Sequence, residues 1–210
     1  MQFQYDYCYS HDMMPLITDG LRWFASADAM ADAVQLCSTR DTFQARLDSF
    51  YRVLLKCDEM VNEVALLIAV IGEIGNNCFD HNLGQWRDVA GCWFAQVQDR
   101  SHWWIALADR GQGILASLRR VDGTIATHQA ALEIAFRRQL SGRAPEQRGN
   151  GLKFVRRVIN GHQTRGLCCI SGDGKVAFGG LTMHLPAPVA SLQQQQIGSG
   201  TLTIIGWGPS

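Results

Sequence analysis

The sequence predicts an α+β fold, a two-layer α/β sandwich with a mixed, mainly antiparallel sheet, on three observations. Segments of strand period alternate along the chain with segments of helical period, two strand candidates stand at hairpin spacing, and no repeat or Pro/Ser-rich linker divides the chain. At 210 residues with 47% hydrophobic side chains, there is material for one substantial core and too little for two large domains.

Residues 2–9 alternate strictly, with Phe3, Tyr5, Tyr7 and Tyr9 opposite Gln2, Gln4, Asp6 and Cys8, the period of a half-buried edge strand. Two helical stretches without Gly or Pro follow at 28–37 and 42–56, and they lead into a longer helix from 58 to about 81. There Val61, Val64, Ile68, Ile71 and Gly75 recur at steps of three and four and make one apolar face. Asn82-Leu83-Gly84 ends that helix, after which 89–97 and 103–108 read as strands joined by the polar turn Asp99-Arg100-Ser101. Thr127 stands where it caps a helix over 128–140, and the polar stretch 141–148 has little to pack and is expected to be a mobile loop. A helix over 151–160 ends at Gly161, and further strands are expected at 166–171, 176–178, 181–185 and 201–207.

Nineteen basic and nineteen acidic residues cancel, so no bulk field steers the chain onto nucleic acid or an anionic membrane. A phosphate-bearing ligand then needs a local site. The start Met1-Gln2-Phe3-Gln4 lacks the basic-then-apolar pattern of a secretory signal, and the longest apolar run, 64–72, is too short for a bilayer span. The expectation is a cytoplasmic protein with neither a membrane nor a nucleic-acid partner. Seven cysteines without a C-x-x-C, and without His at zinc-ligand spacing, read as reduced thiols, mostly buried. On a strand, the adjacent Cys168 and Cys169 point to opposite faces, which argues against one shared metal.

Three short constellations carry the chemistry. In Glu73-Ile74-Gly75-Asn76-Asn77-Cys78-Phe79-Asp80-His81, the residues Glu73, Asn77 and His81 recur every four positions and share one helix face, which also fits a solvated polar face. Asp109-Arg110-Gly111-Gln112-Gly113 puts a carboxylate at a strand end and two glycines in the turn after it, where a ligand approaches the backbone closely. Arg148-Gly149-Asn150-Gly151-Leu152 opens directly into a helix, whose first N–H groups lack intrahelical acceptors and favour an anion. The latter two also fit ordinary glycine turns. Chemically, the Asn77 amide oxygen is a hard ligand suited to Mg²⁺, and Glu73, one turn earlier, is placed to accept a proton from an attacking water or hydroxyl. Cys78 and His81 stand at the spacing of a thiol and its base, but no oxyanion donor accompanies them, so Cys78 reads as packed.

Taken in order, these motifs resemble the GHKL family of ATP-binding domains, shared by histidine kinases, gyrase B subunits and MutL proteins. Glu73 and Asn77 match its N box, with His81 at the basic or aromatic position that often closes it. Asp109, Gly111 and Gly113 match its first glycine box, and Gly149, Gly151 and Leu152 its second. Gly198-Ser199-Gly200-Thr201 is similar to the Gly-Thr that enters the family's last strand, so the resemblance covers roughly 58–207. Two positions depart from the pattern, Asp80 where histidine kinases commonly carry a cation and Lys153 where many members carry glycine. The resemblance implies the Bergerat fold with ATP and Mg²⁺ as cofactors and Asp109 as acceptor for the adenine amino group. It also implies a lid between the glycine boxes from which Arg143 and Arg148 reach the γ-phosphate.

The same resemblance divides the chain into an ATP-binding domain over 58–210 and an N-terminal part, 1–57, for homodimerisation or for holding a partner. Free-standing regulators such as the anti-sigma-factor kinases of bacteria, which phosphorylate serine on a small partner, are similar in extent. The implied function is a regulatory ATPase or protein kinase that binds ATP or ADP and acts on a regulatory protein partner. A second reading is an ATP-gated protein-interaction module without phosphotransfer.

Overall fold

A computed structural model describes residues 13–25, 35–137, 150–181 and 199–209. Among these, six helices and six strands run in the order α1 Met13–Ala25, β1 Leu36–Cys37, α2 Arg40–Leu54, α3 Val64–Asp80, β2 Cys92–Asp99, β3 His102–Asp109, α4 Gly113–Arg119, α5 His128–Arg137, α6 Gly151–Asn160, β4 Arg165–Ser171, β5 Gly174–Gly179 and β6 Thr201–Trp207. The strands form one sheet in the order β1-β2-β3-β6-β4-β5, and all five pairings are antiparallel. The α+β sandwich expected from the sequence is present. No helix among the described residues is long and apolar enough to cross a membrane.

Strand alternation sorts the side chains onto two faces. Phe94, Trp103, Ile105, Leu167, Ile205 and Trp207 build the main core with α2, α3, α5 and α6. Trp93, Trp104, Cys168, Ile170 and Ile204 form a smaller cluster on the other face, covered by Leu16, Leu21, Trp23 and Phe24 of α1. Cys168 and Cys169 fall on opposite faces, as their adjacency on a strand requires. In the β2–β3 hairpin Asp99 stands opposite His102, and Arg100 takes a left-handed φ of 55° in the tight turn between them.

Several boundaries differ from the sequence expectation. Leu36 and Cys37, expected at the end of a helix, form the edge strand β1 against Trp93 and Cys92. A two-residue strand is too short to show a period. The helix expected from 58 divides into a 3-10 turn at Asp58–Met60 and α3, which starts only at Val64. Just before α3 stands Glu63, whose buried carboxylate accepts from Arg165 Nη2 at 2.8 Å and from Trp207 Nε1 at 3.1 Å. Val61, counted in the apolar face, is 50% exposed, whereas Leu67, Val70 and Ile74 join the buried side. Thr127 caps α5 as expected, accepting from the Ala130 amide at 3.1 Å. Neither α1 nor α4 was among the expected elements. In α1, Pro15 lies in the first turn, where its missing N–H leaves no gap, and Gly20 sits so close to the Trp93 ring that a Cβ would stand 2.9 Å from it. The strand expected at 2–9 and the loop 141–148 lie outside the described residues, as does all of the strand expected at 181–185 except Leu181, which belongs to a short 3-10 turn after β5.

Candidate functional site

The end of α3, the β3–α4 turn, the start of α6 and the inner face of β4 and β6 enclose a cavity of about 570 Å³. Glu73, Asn77, His81, Asp109, Gly113, Gly151, Leu152 and Thr201, residues from every sequence-predicted constellation and from the start of β6, all line it. Arg148 and Gly149 lie outside the described residues, as does Arg143.

Asp109 is the last residue of β3, paired across the sheet with Thr201, and only 3% of it is exposed. Its Oδ1 accepts from the Gly111 amide and from Asn82 Nδ2, each at 2.9 Å. Burial pushes this carboxyl up to about 7, and the donors Gly111, Asn82, Cys78 and Thr201 offset part of that rise. Asn82 ties the floor together, because its Nδ2 also donates to the Cys78 carbonyl at 2.8 Å and its Oδ1 accepts from the Gln112 amide at 3.1 Å. Gly111 is required by this clamp, since a Cβ there would lie 2.0 Å from the Asn82 side chain. Gly113 has φ 79° and opens α4, whose Ile114 amide donates to Ser171 Oγ at 3.0 Å while that hydroxyl donates to the Gly200 carbonyl at 2.9 Å. Of the two glycines expected to admit a ligand, Gly113 lines the cavity and Gly111 does not, and both serve close packing of the turn.

The polar face of α3 divides by environment. Glu73 is exposed and Asn77 half-buried. A Cβ on Gly151 would lie 2.1 Å from Glu73 Oε2, so the carboxylate rests against the first residue of α6. There the positive end of the helix dipole favours a negative charge. His81 is held from α4, with Nδ1 3.2 Å from Ser117 Oγ and its carbonyl accepting from Gln112 Nε2. Apolar walls come from Leu107 on β3, Ile114 and Leu118 on α4, and Leu152 on α6.

Two buried thiols, Cys78 and Cys169, line the cavity. Burial pushes Cys169 up to about 12, and Cys78 lies well above the usual thiol range through its hydrogen bond with Cys92 and its burial. No group of three or more His, Cys, Asp or Glu side chains placed to hold a metal occurs among the described residues. The Asn77 amide oxygen and the carboxylates of Glu73 and Asp80 are hard donors on the described wall.

Two contributors were not picked out from the sequence. Asn82 was expected only to end a helix, yet it is 3% exposed and joins Asp109 to the turn. Arg40 arrives from α2 to pair with Asp80 on the cavity wall. No family model and no curated protein matches the sequence.

Proposed function

We propose that this cavity binds ATP with Mg²⁺ and that the protein is a regulatory ATPase or protein kinase acting on a small protein partner in the cytoplasm. The observation that carries the reading is the convergence of three separate stretches, at 73–81, 109–113 and 150–152, on one cavity with a buried carboxylate in its floor. Asp109 accepts a hydrogen bond from the adenine amino group, and Leu107, Ile114, Leu118 and Leu152 pack against the base. Asn77 supplies the protein oxygen for Mg²⁺, which neutralises phosphate charge when bound. Glu73 takes the proton from the attacking oxygen, a partner hydroxyl in a kinase or water in an ATPase.

A second reading, an ATP-gated interaction module without phosphotransfer, is favoured by the contact between the Glu73 carboxylate and the start of α6, which gives that group a structural occupation. One experiment separates them. Purified protein is titrated with Mg·ATP by calorimetry and then incubated with γ-labelled ATP and partner proteins that co-purify. Label on a partner identifies a kinase, label released as phosphate an ATPase, and binding without either the gated module. Absence of any nucleotide binding would remove the proposal.

A further inference from the structure

We propose that Arg40, a residue of α2 outside all three constellations, is a phosphate-contacting residue of this cavity, aimed by Asp80. The inference rests on the nucleotide reading and deepens it by assigning the contact that recognises the phosphate chain.

The first observation is charge. Among the described residues lining the cavity, Arg40 is the one Lys or Arg, against the carboxylates of Glu73, Asp80 and Asp109. A polyphosphate entering with Mg²⁺ carries more negative charge than one divalent ion cancels, and two exposed or half-exposed carboxylates on the wall add to the excess. A guanidinium offers five N–H donors in a fixed fork. Among the described residues, the ion pair of Arg40 is its Nη2 contact to Asp80 Oδ1, and 48% of its side chain remains exposed. Donors are left for phosphate oxygens while Asp80 holds the group in place.

The second observation is why α2 delivers this residue here. Phe43, one turn after Arg40, is fully buried, and its ring lies where a Cβ on Gly75 would be, 2.0 Å from Cζ. The same ring stands 6.2 Å from Phe79 and 5.6 Å, edge-on, from Phe94. Gly75 belongs to the stretch that carries Glu73 and Asn77, so seating Phe43 in the glycine notch fixes the register of α2 on α3. Residues three apart share a helix face, so Arg40 is carried to the Asp80 end of α3, one turn beyond Asn77.

The test compares wild type with R40Q, R40K and D80N. Mg·ATP and Mg·ADP affinities are taken by calorimetry, adenosine binding by ligand-observed NMR, and thermal unfolding is followed without ligand. R40Q is expected to weaken Mg·ATP and Mg·ADP by roughly 10- to 100-fold, the loss of one charge-assisted hydrogen bond, with adenosine binding and unfolding unchanged. R40K should recover part of the loss. As a positioning residue, Asp80 should show a smaller loss of Mg·ATP affinity in D80N, and no further loss when R40Q is already present. Equal Mg·ATP affinity in wild type and R40Q overturns the assignment of Arg40 alone. Parallel losses of adenosine and ATP in R40Q make Arg40 structural and also overturn it. A wild type that binds neither ATP nor adenosine overturns the nucleotide reading itself.

Discussion

Burial at the end of β3 pushes the folded value of the Asp109 carboxyl up to about 7 from 3.8. Because the folded value is the raised one, the stability linked to this group is complete below about pH 4 and is lost as pH rises to about 7. Above that it is constant. The full change is on the order of 4 kcal/mol, at 1.36 kcal/mol per unit. Urea titrations from pH 4 to 8 should show this decline in the wild type relative to Asp109→Asn, in which the group no longer titrates. If the ionised carboxylate receives the adenine amino group, nucleotide affinity should rise towards pH 7 and level off above it, a dependence that Asp109→Asn abolishes in calorimetry. On the opposite wall, Glu73→Gln should leave Mg·ATP binding intact and slow turnover by roughly 10²–10⁴. Asn77→Ala should bind nucleotide with no response to added Mg²⁺ and keep its helical circular dichroism. These residues were legible because each stands at a fixed short spacing from another of its set. Arg40 and Asn82 were not, since Arg40 meets Asp80 across 40 positions and Asn82 meets Asp109 across 27.

Elements with a strong period or a sharp stop were read nearly as they stand. α6 runs Gly151–Asn160 with Gly161 after it, and β6 runs Thr201–Trp207, both as expected. The missed ones share a physical cause, in that tertiary packing outweighs local preference. α1 tolerates Gly20 because the Trp93 ring fills the space of its side chain, and α4 opens on a glycine at positive φ that a local reading assigns to a turn. β1 exists only because an edge is available beside β2, where Gln35 accepts from the Phe94 amide at 2.9 Å. The β3–α4 turn has no room for a side chain at Gly111. In Gly111→Ala the new methyl would displace the Asn82 side chain, whose bonds to Cys78, Asp109 and Gln112 then fail. At about 1 kcal/mol for each net bond, the expected cost is roughly 2–3 kcal/mol in denaturant titration, with weaker nucleotide binding.

Over the whole molecule, α3 links two polar centres at its ends, about 25 Å apart by helix rise. One is the cavity. The other is Glu63, which with Arg165 and Trp207 pins the start of α3 to β4 and β6, the guanidinium lying 4.5 Å over the Trp207 ring. Glu63→Ala should cost about 3–5 kcal/mol by leaving Arg165 buried without its counter-charge, and adding Arg165→Met should recover part of that loss. The sandwich itself was legible in the succession of periods. The order of strands was not, because registry across a sheet is settled by contacts distant in sequence.

That order bears on how the protein is made. β6 is the last described strand along the chain, yet it lies in the middle of the sheet, joining the β1-β2-β3 side to the β4-β5 side. Among the described strands, a growing chain that has not yet emitted Thr201 holds β1-β2-β3 and β4-β5 without the strand that joins them, and the wall contributed by Thr201 and Thr203 is missing. Local hairpins form early and closure waits for β6. Ribosome-stalled chains ending before Thr201 should therefore be cut readily by protease, with protection arriving in one step once Trp207 has cleared the exit tunnel.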